Sequence, residues 1–202
     1  KYTCYEGCRV PFLIRWPGRV PPGSRIDALC ANIDIAPTLV DIAGHDRPPD
    51  REVDGRSMLP VLVNGNAPPG WREDLLLECS NIRAVVTPKW KYIANRPPEG
   101  ARTRMQAEAE RKKRTGEPRR IGWDGNENPH TWEKGIRYGA DVSFPDYFDP
   151  DQLYDLETDV YEHHNLAGKP ECAAVLAEMK TRLRRRLADM PHTFAEFTEP
   201  AS

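Results

Sequence analysis

The chain has 202 residues, 39% hydrophobic and 30% charged, with a formal net charge of -2. That is enough for one domain or two small ones, and the charge balance gives no global attraction to nucleic acid or an anionic membrane. Twenty prolines favour short elements and many loops, no apolar run reaches the length of a membrane span, and five irregularly spaced cysteines do not form a disulfide framework.

The sequence opens, without an initiator methionine, on a charged, glycine-punctuated loop, Lys1–Arg9. Cys4 and Cys8 have no second pair or Cys/His cluster to complete a zinc site. Val10–Trp16 (VPFLIRW) is an apolar run stopped by Pro17-Gly18 and is predicted to be a buried strand. Val20–Ser24 reads as a turn. Ile33–Ala43 then reads as a helix, with Asp34 as N-cap, Pro37 in the first turn, Ile35, Leu39 and Ile42 on one face, and Gly44 as the stop. Strand, loop, helix is an α/β unit and predicts continuation of a mainly parallel sheet.

His45–Val53 is a proline-rich connector. Asp54-Gly55-Arg56-Ser57 leads into a short helix, Met58–Val63, closed by Asn64-Gly65. A boundary between about Gly65 and Trp71 separates residues 1–68 from residues 69–202. Beyond it the pattern becomes a meander of short strands, Asp74–Cys79, Ile82–Thr87 and Lys89–Asn95, with Gln152–Leu156 as a fourth. Such a sheet is antiparallel. Residues 96–150 interrupt it. Within them Ala101–Arg114 reads as a solvated helix, and a stretch rich in glycine and asparagine holds Trp123, His130, Trp132 and Tyr138. Pro170 suits a helix start. From there Cys172, Leu176, Met179, Leu183 and Leu187 form one apolar stripe, predicted to cover a face of the sheet.

Several of these segments carry a family likeness. Lys1-x-Thr3-x-Tyr5-Glu6-Gly7, Arg9-Val10-Pro11 and Arg15-Trp16-Pro17-Gly18 resemble the sulfatase family of the alkaline-phosphatase-like superfamily. Asn32-Ile33-Asp34-Ile35-Ala36-Pro37-Thr38 and Asp54-Gly55-Arg56-Ser57 follow in the family's order. So do Lys89-x-Lys91-Tyr92-Ile93, Leu153-Tyr154-Asp155-Leu156, Glu162 and Asn165-Leu166-Ala167. The Gly7-Cys8-Arg9 loop is one residue shorter than the family pattern, and residues 96–150 match nothing in it.

The resemblance implies an α/β to α+β fold: the end of an alkaline-phosphatase-like α/β domain, then a small antiparallel sheet packed by a C-terminal helix. It implies the C-terminal portion of a sulfuric-ester hydrolase whose nucleophile, calcium ion and formylglycine belong to an N-terminal catalytic part. That part is the implied partner, together with a sulfated small molecule or saccharide, and export to the periplasm or cell exterior is the implied setting. Lys1 matches the family lysine that contacts the sulfate group and bridging oxygen. A lysine at the end of a sequence otherwise reads as a solvated tail.

Trp123, His130 and Trp132 are the substrate-binding candidates, because aromatic faces suit the apolar faces of sugar rings. Their alternative role is to anchor the insertion to the sheet. Glu6 and Arg9 read as a local pair, and His163-His164 as surface residues. Arg111–Arg114 with Arg119-Arg120 reads as a solvated face or a site for polyanionic glycans. A phosphonate or phosphodiester hydrolase of the same superfamily, and a non-catalytic glycan-binding module, are the competing functions.

Overall fold

The computed structural model describes residues 8–46, 50, 52–79, 81–97, 149–188 and 190–198, with isolated positions between 100 and 146. It divides into two compact units. One holds Arg9–Leu75 with Val86–Lys89; the other holds Cys8, Leu76–Val85 and the chain from Trp90 onward.

In the first unit a 3-10 turn, Asn32–Asp34, runs into helix α1, Ile35–Ile42. Gly44 ends this segment at φ +70°, a left-handed conformation open to glycine at little cost. Helix α2, Leu59–Asn64, carries Pro60 in its first turn and closes on Gly65, also left-handed. The Ser57 hydroxyl accepts from the Leu59 N–H at 3.3 Å, taking one of the donors that a helix start leaves open.

One prediction for this unit is corrected. Val10–Trp16 is not a strand, and its apolar side chains are exposed, with Leu13 at 95%. A strand needs a neighbour to take its N–H and C=O groups, and the described residues supply none. Of the residues read onto one face of α1, Ile35 and Leu39 are exposed and Ile42 is half-buried, while Asp34, Pro37 and Thr38 are buried. Hydrophobic spacing identified the helix but not which face this unit covers.

The second unit is built on a four-stranded sheet in the order β1 (Leu75–Cys79), β2 (Ile82–Val86), β3 (Trp90–Asn95), β4 (Asp151–Asp155). Connections as short as those joining β1, β2 and β3 permit only antiparallel neighbours. β4 runs antiparallel to β3, with Lys91 opposite Tyr154, Tyr92 opposite Leu153 and Ile93 opposite Gln152. Alternate side chains therefore go to opposite faces. Val85, Tyr92, Ala94 and Leu153 pack with Met179, Leu183 and Leu187 of helix α3 (Ala173–Leu187), and with Phe194 and Phe197. Ala84, Ile93 and Tyr154 form a smaller cluster on the other face with Leu77, Ile82 and Leu156. The α3 stripe is the one read from the sequence.

Polar groups lock this core. Tyr92 donates to Asp151 Oδ1 at 2.6 Å, and Lys180 of α3 reaches Asp151 Oδ2 at 2.6 Å. Arg96 bonds both Asp151 and Glu196, while its guanidinium lies 5.4 Å from the Phe197 ring centroid. Sheet, helix and C-terminal segment are thus tied at one point.

Candidate functional site

Asp34 is fully buried and stands at the N-cap of α1, as the sequence suggested, but its side chain makes no forward cap bond. Its carboxylate turns back. Oδ2 accepts from the Ala31 N–H at 2.7 Å and Oδ1 from the Arg56 N–H at 2.8 Å. The Arg72 guanidinium grips both oxygens, with Nη2 2.8 Å from Oδ1. Burial pushes the Asp34 carboxyl up, but the Arg72, Arg56 and Ala31 donors outweigh it and hold it below the usual carboxylate range. One turn later Thr38 donates to the Asp34 carbonyl at 2.5 Å and accepts from the Met58 N–H at 2.8 Å.

These bonds draw Asn32–Thr38 and Asp54–Ser57 into one junction. At its closest point a Cβ on Gly55 would collide with the Ile33 carbonyl, so only glycine fits. Arg56 donates to the Gly70 carbonyl at 2.7 Å and lies 4.6 Å from the Trp71 ring centroid. The Trp71 indole N–H donates to the Leu29 carbonyl at 3.0 Å. An open groove of about 440 Å³ runs beside Trp71, with Arg25, Asn66 and Pro88 on its walls.

In the sheet unit, Lys91 on β3 pairs with Glu162 at 2.8 Å, each side chain only 4% exposed. Glu162 has φ +56°, unusual for a residue with a side chain, and its N–H donates to the Asp159 carbonyl at 3.0 Å. Asp159 also accepts from the His163 and His164 N–H groups at 3.0 and 2.8 Å. The tight turn this creates delivers Glu162 to Lys91. Asn165 then clasps β4. Its Oδ1 accepts from the Leu153 and Ala167 N–H groups, each at 2.9 Å, and its Nδ2 donates to the Asp151 carbonyl at 3.0 Å. Polar partners therefore meet β4, limiting the hazard of an open strand.

Lys1, Trp123, His130 and Trp132 lie outside the described residues, as do Glu6 and most of the 96–150 insertion. His164 is a surface side chain 3.6 Å from Asp159. Among the described residues, no group of three or more His, Cys, Asp or Glu could hold a metal ion, and no helix is long and apolar enough to cross a membrane.

The described geometry is therefore a scaffold in which motif residues grip one another. Lys91, Arg72 and Trp71 were not singled out as anchors by sequence reasoning. The signal for Lys91 was a lysine inside a strand whose two neighbours, Trp90 and Tyr92, are both large aromatics.

Residues 1–93 match the family model described as N-sulphoglucosamine sulphohydrolase, C-terminal. The chain is also 31% identical, over 184 residues and 87% of its length, to an ulvan-active sulfatase of Formosa agariphila. The chain belongs to the sulfatase family. It corresponds to the family's C-terminal portion, spanning 32% of the length of the Formosa protein. This sulfatase chain is also 44% identical over 84 residues to a steryl-sulfatase of Rattus norvegicus, covering 42% of the chain and 14% of that relative.

A solved structure in complex with its substrate D-glucosamine-2-N,6-O-disulfate has the same fold, with a TM-score of 0.58 at 23% identity. That match covers 91% of this sulfatase chain and 29% of the solved one. The fold is thus the alkaline-phosphatase-like one that the motifs implied.

Proposed function

We propose that this sulfatase chain is the C-terminal part of a larger hydrolase that cleaves sulfate monoesters of a sulfated carbohydrate. The observation that carries the substrate class is the extent of the matches. The likeness to the ulvan-active sulfatase runs through 87% of the chain, against 42% for the steryl-sulfatase. It therefore includes sequence beyond the first 93 residues that the family model covers.

The exposed apolar surface supports a larger polypeptide. Val10, Phe12, Leu13 and Ile14, with Ile33, Ile35 and Leu39, are open to solvent in one unit. Apolar surface gathered in this way marks a contact. The occupant proposed here is the N-terminal catalytic part, whose sheet would take Val10–Trp16 as a further strand and cover α1.

The family implies a calcium ion and a formylglycine. The described residues do not fit the ion, because they bring together no suitable group of ligands. Both cofactors are assigned to the N-terminal part, and no step is derived through them. The contribution proposed for this chain is charge. As a sulfate S–O bond breaks, negative charge moves onto the leaving oxygen. A fixed ammonium at Lys1 would stabilise it as a compact point charge with three donors. Trp123, His130 and Trp132 would contact the saccharide.

The test is sulfate release by the full-length polypeptide from a panel containing sulfated saccharides, a steroid sulfate and 4-nitrophenyl sulfate. The proposal expects the saccharides to give the highest kcat/KM. Preference for the steroid ester would overturn the substrate class.

A further inference from the structure

We propose that the solvent face of the last turns of α3 binds a sulfated polysaccharide chain through Arg184, Arg185 and Arg186. The choice of partner rests on the carbohydrate substrate class proposed above.

Between Glu178 and Asp189 the sequence carries five cations and no acid: Lys180, Arg182, Arg184, Arg185 and Arg186. Met179, Leu183 and Leu187 take the core side of α3 and are buried. The helical period puts Arg184, Arg185 and Arg186 on the remaining surface, and all three are exposed. Lys180 and Arg182 are engaged locally. Lys180 reaches Asp151 at 2.6 Å, and Arg182 donates to Glu178 at 2.9 Å.

Helix stability does not account for this load. A cation in the last turn complements the helix dipole, but the gain is small and screened by salt. Arg182 and Arg186 stand four positions apart, as do Lys180 and Arg184, and like charges at that spacing repel. An anionic partner would relieve that repulsion.

The geometry selects the kind of anion. Successive helical side chains diverge by about 100°, so three consecutive arginines do not converge on a single ion. They suit several anionic groups carried on one chain. The guanidinium fork matches oxyanions. Arg184 is also held in advance, its guanidinium 5.4 Å from the Phe197 ring centroid, which lowers the side-chain ordering that binding would demand. A membrane surface fits less well. A helix that lies in an interface inserts an apolar face, whereas the apolar stripe of α3 is buried on the sheet. Among the described residues, no large apolar side chain of α3 is exposed.

The experiment titrates the full-length polypeptide with dextran sulfate, unsulfated dextran and phosphatidylserine vesicles at low and high salt. The variant is Arg184→Gln with Arg185→Gln and Arg186→Gln, which keeps helix propensity. Far-UV circular dichroism and Tm check its fold. The proposal expects dextran sulfate to bind, more weakly as salt rises, and unsulfated dextran not to bind. It expects the variant to raise the dextran sulfate Kd about 10-fold or more, with kcat/KM for 4-nitrophenyl sulfate unchanged.

A folded variant with the wild-type Kd overturns the proposal. So does an equal loss from Arg111→Gln with Lys112→Gln and Lys113→Gln, which would show that overall charge governs binding. Vesicles bound more tightly than dextran sulfate overturn the choice of partner. If the triple variant does not fold, Arg185→Gln with Arg186→Gln leaves the Phe197 contact in place and carries the same readouts. A wild-type protein that binds dextran sulfate but frees no sulfate from any ester overturns the enzymatic reading and supports this surface. One that cleaves sulfated saccharides without binding dextran sulfate overturns this inference alone.

Discussion

Lys91 and Glu162 stand 71 positions apart in sequence and meet as a buried ion pair 2.8 Å long. Removing one member leaves the other charged and buried, which costs about 3–5 kcal/mol. Glu162→Gln is therefore expected to lower stability by about that amount in urea unfolding. The double change to methionine is expected to cost much less. Equal losses from the single and double variants would show that the charges do not depend on each other.

Asp34 organises the other unit. Asp34→Ala would strand the Arg72 guanidinium and the Ala31 and Arg56 N–H groups, at an expected cost of about 3–5 kcal/mol. Gly55→Ala is expected to destabilise the same unit, because the added methyl meets the Ile33 carbonyl. Thermal unfolding of both variants checks this. A Gly55→Ala protein with the wild-type Tm would contradict the close approach.

The Asp151 carboxyl is pushed up by burial but pulled down further by Arg96, Lys180 and Tyr92, to about 2. Its folded value thus lies below its unfolded value near 3.8. The sign follows from that order. The stabilisation is fully present above the unfolded value and is lost as pH falls through about 4 towards about 2. The shift corresponds to roughly 2 kcal/mol. Unfolding free energy measured from pH 6 to pH 2 is expected to fall less steeply in Asp151→Asn than in wild type. Parallel curves would remove Asp151 from the acid response.

Much of this architecture was legible in the sequence. The strand runs were short and bounded by turn residues, and the stripe Met179, Leu183, Leu187 could form only on a helix. The misread strand and the exposed face of α1 share one cause. VPFLIRW and the Ile35–Leu39 face are apolar enough to be buried, but sequence pattern states that a surface seeks cover, not what covers it. Asp34 was legible as the residue that opens α1, but only the fold reveals Arg72, 38 positions away, as the partner of its side chain. The family motifs named Lys1 as the acting residue, whereas the described scaffold shows what other motif residues do: Asp34 grips Gly55's neighbour Arg56, and Glu162 grips Lys91.

Asn165 illustrates the same point at the sheet edge. Asn165→Ala would release the Leu153 and Ala167 N–H groups and the Asp151 carbonyl, with an expected loss of about 1–3 kcal/mol. Hydrogen exchange is expected to quicken first at Leu153. Unchanged protection there would show that β4 does not depend on this clasp.

The most direct measurement is sulfate released from a sulfated saccharide by the full-length polypeptide, quantified by ion chromatography for wild type and for Lys1→Ala. The account predicts release by the wild-type protein and a kcat lowered by orders of magnitude in a folded Lys1→Ala variant. A Lys1→Ala enzyme that turns over at the wild-type rate, or a folded wild-type protein that frees no sulfate from any ester, would contradict it.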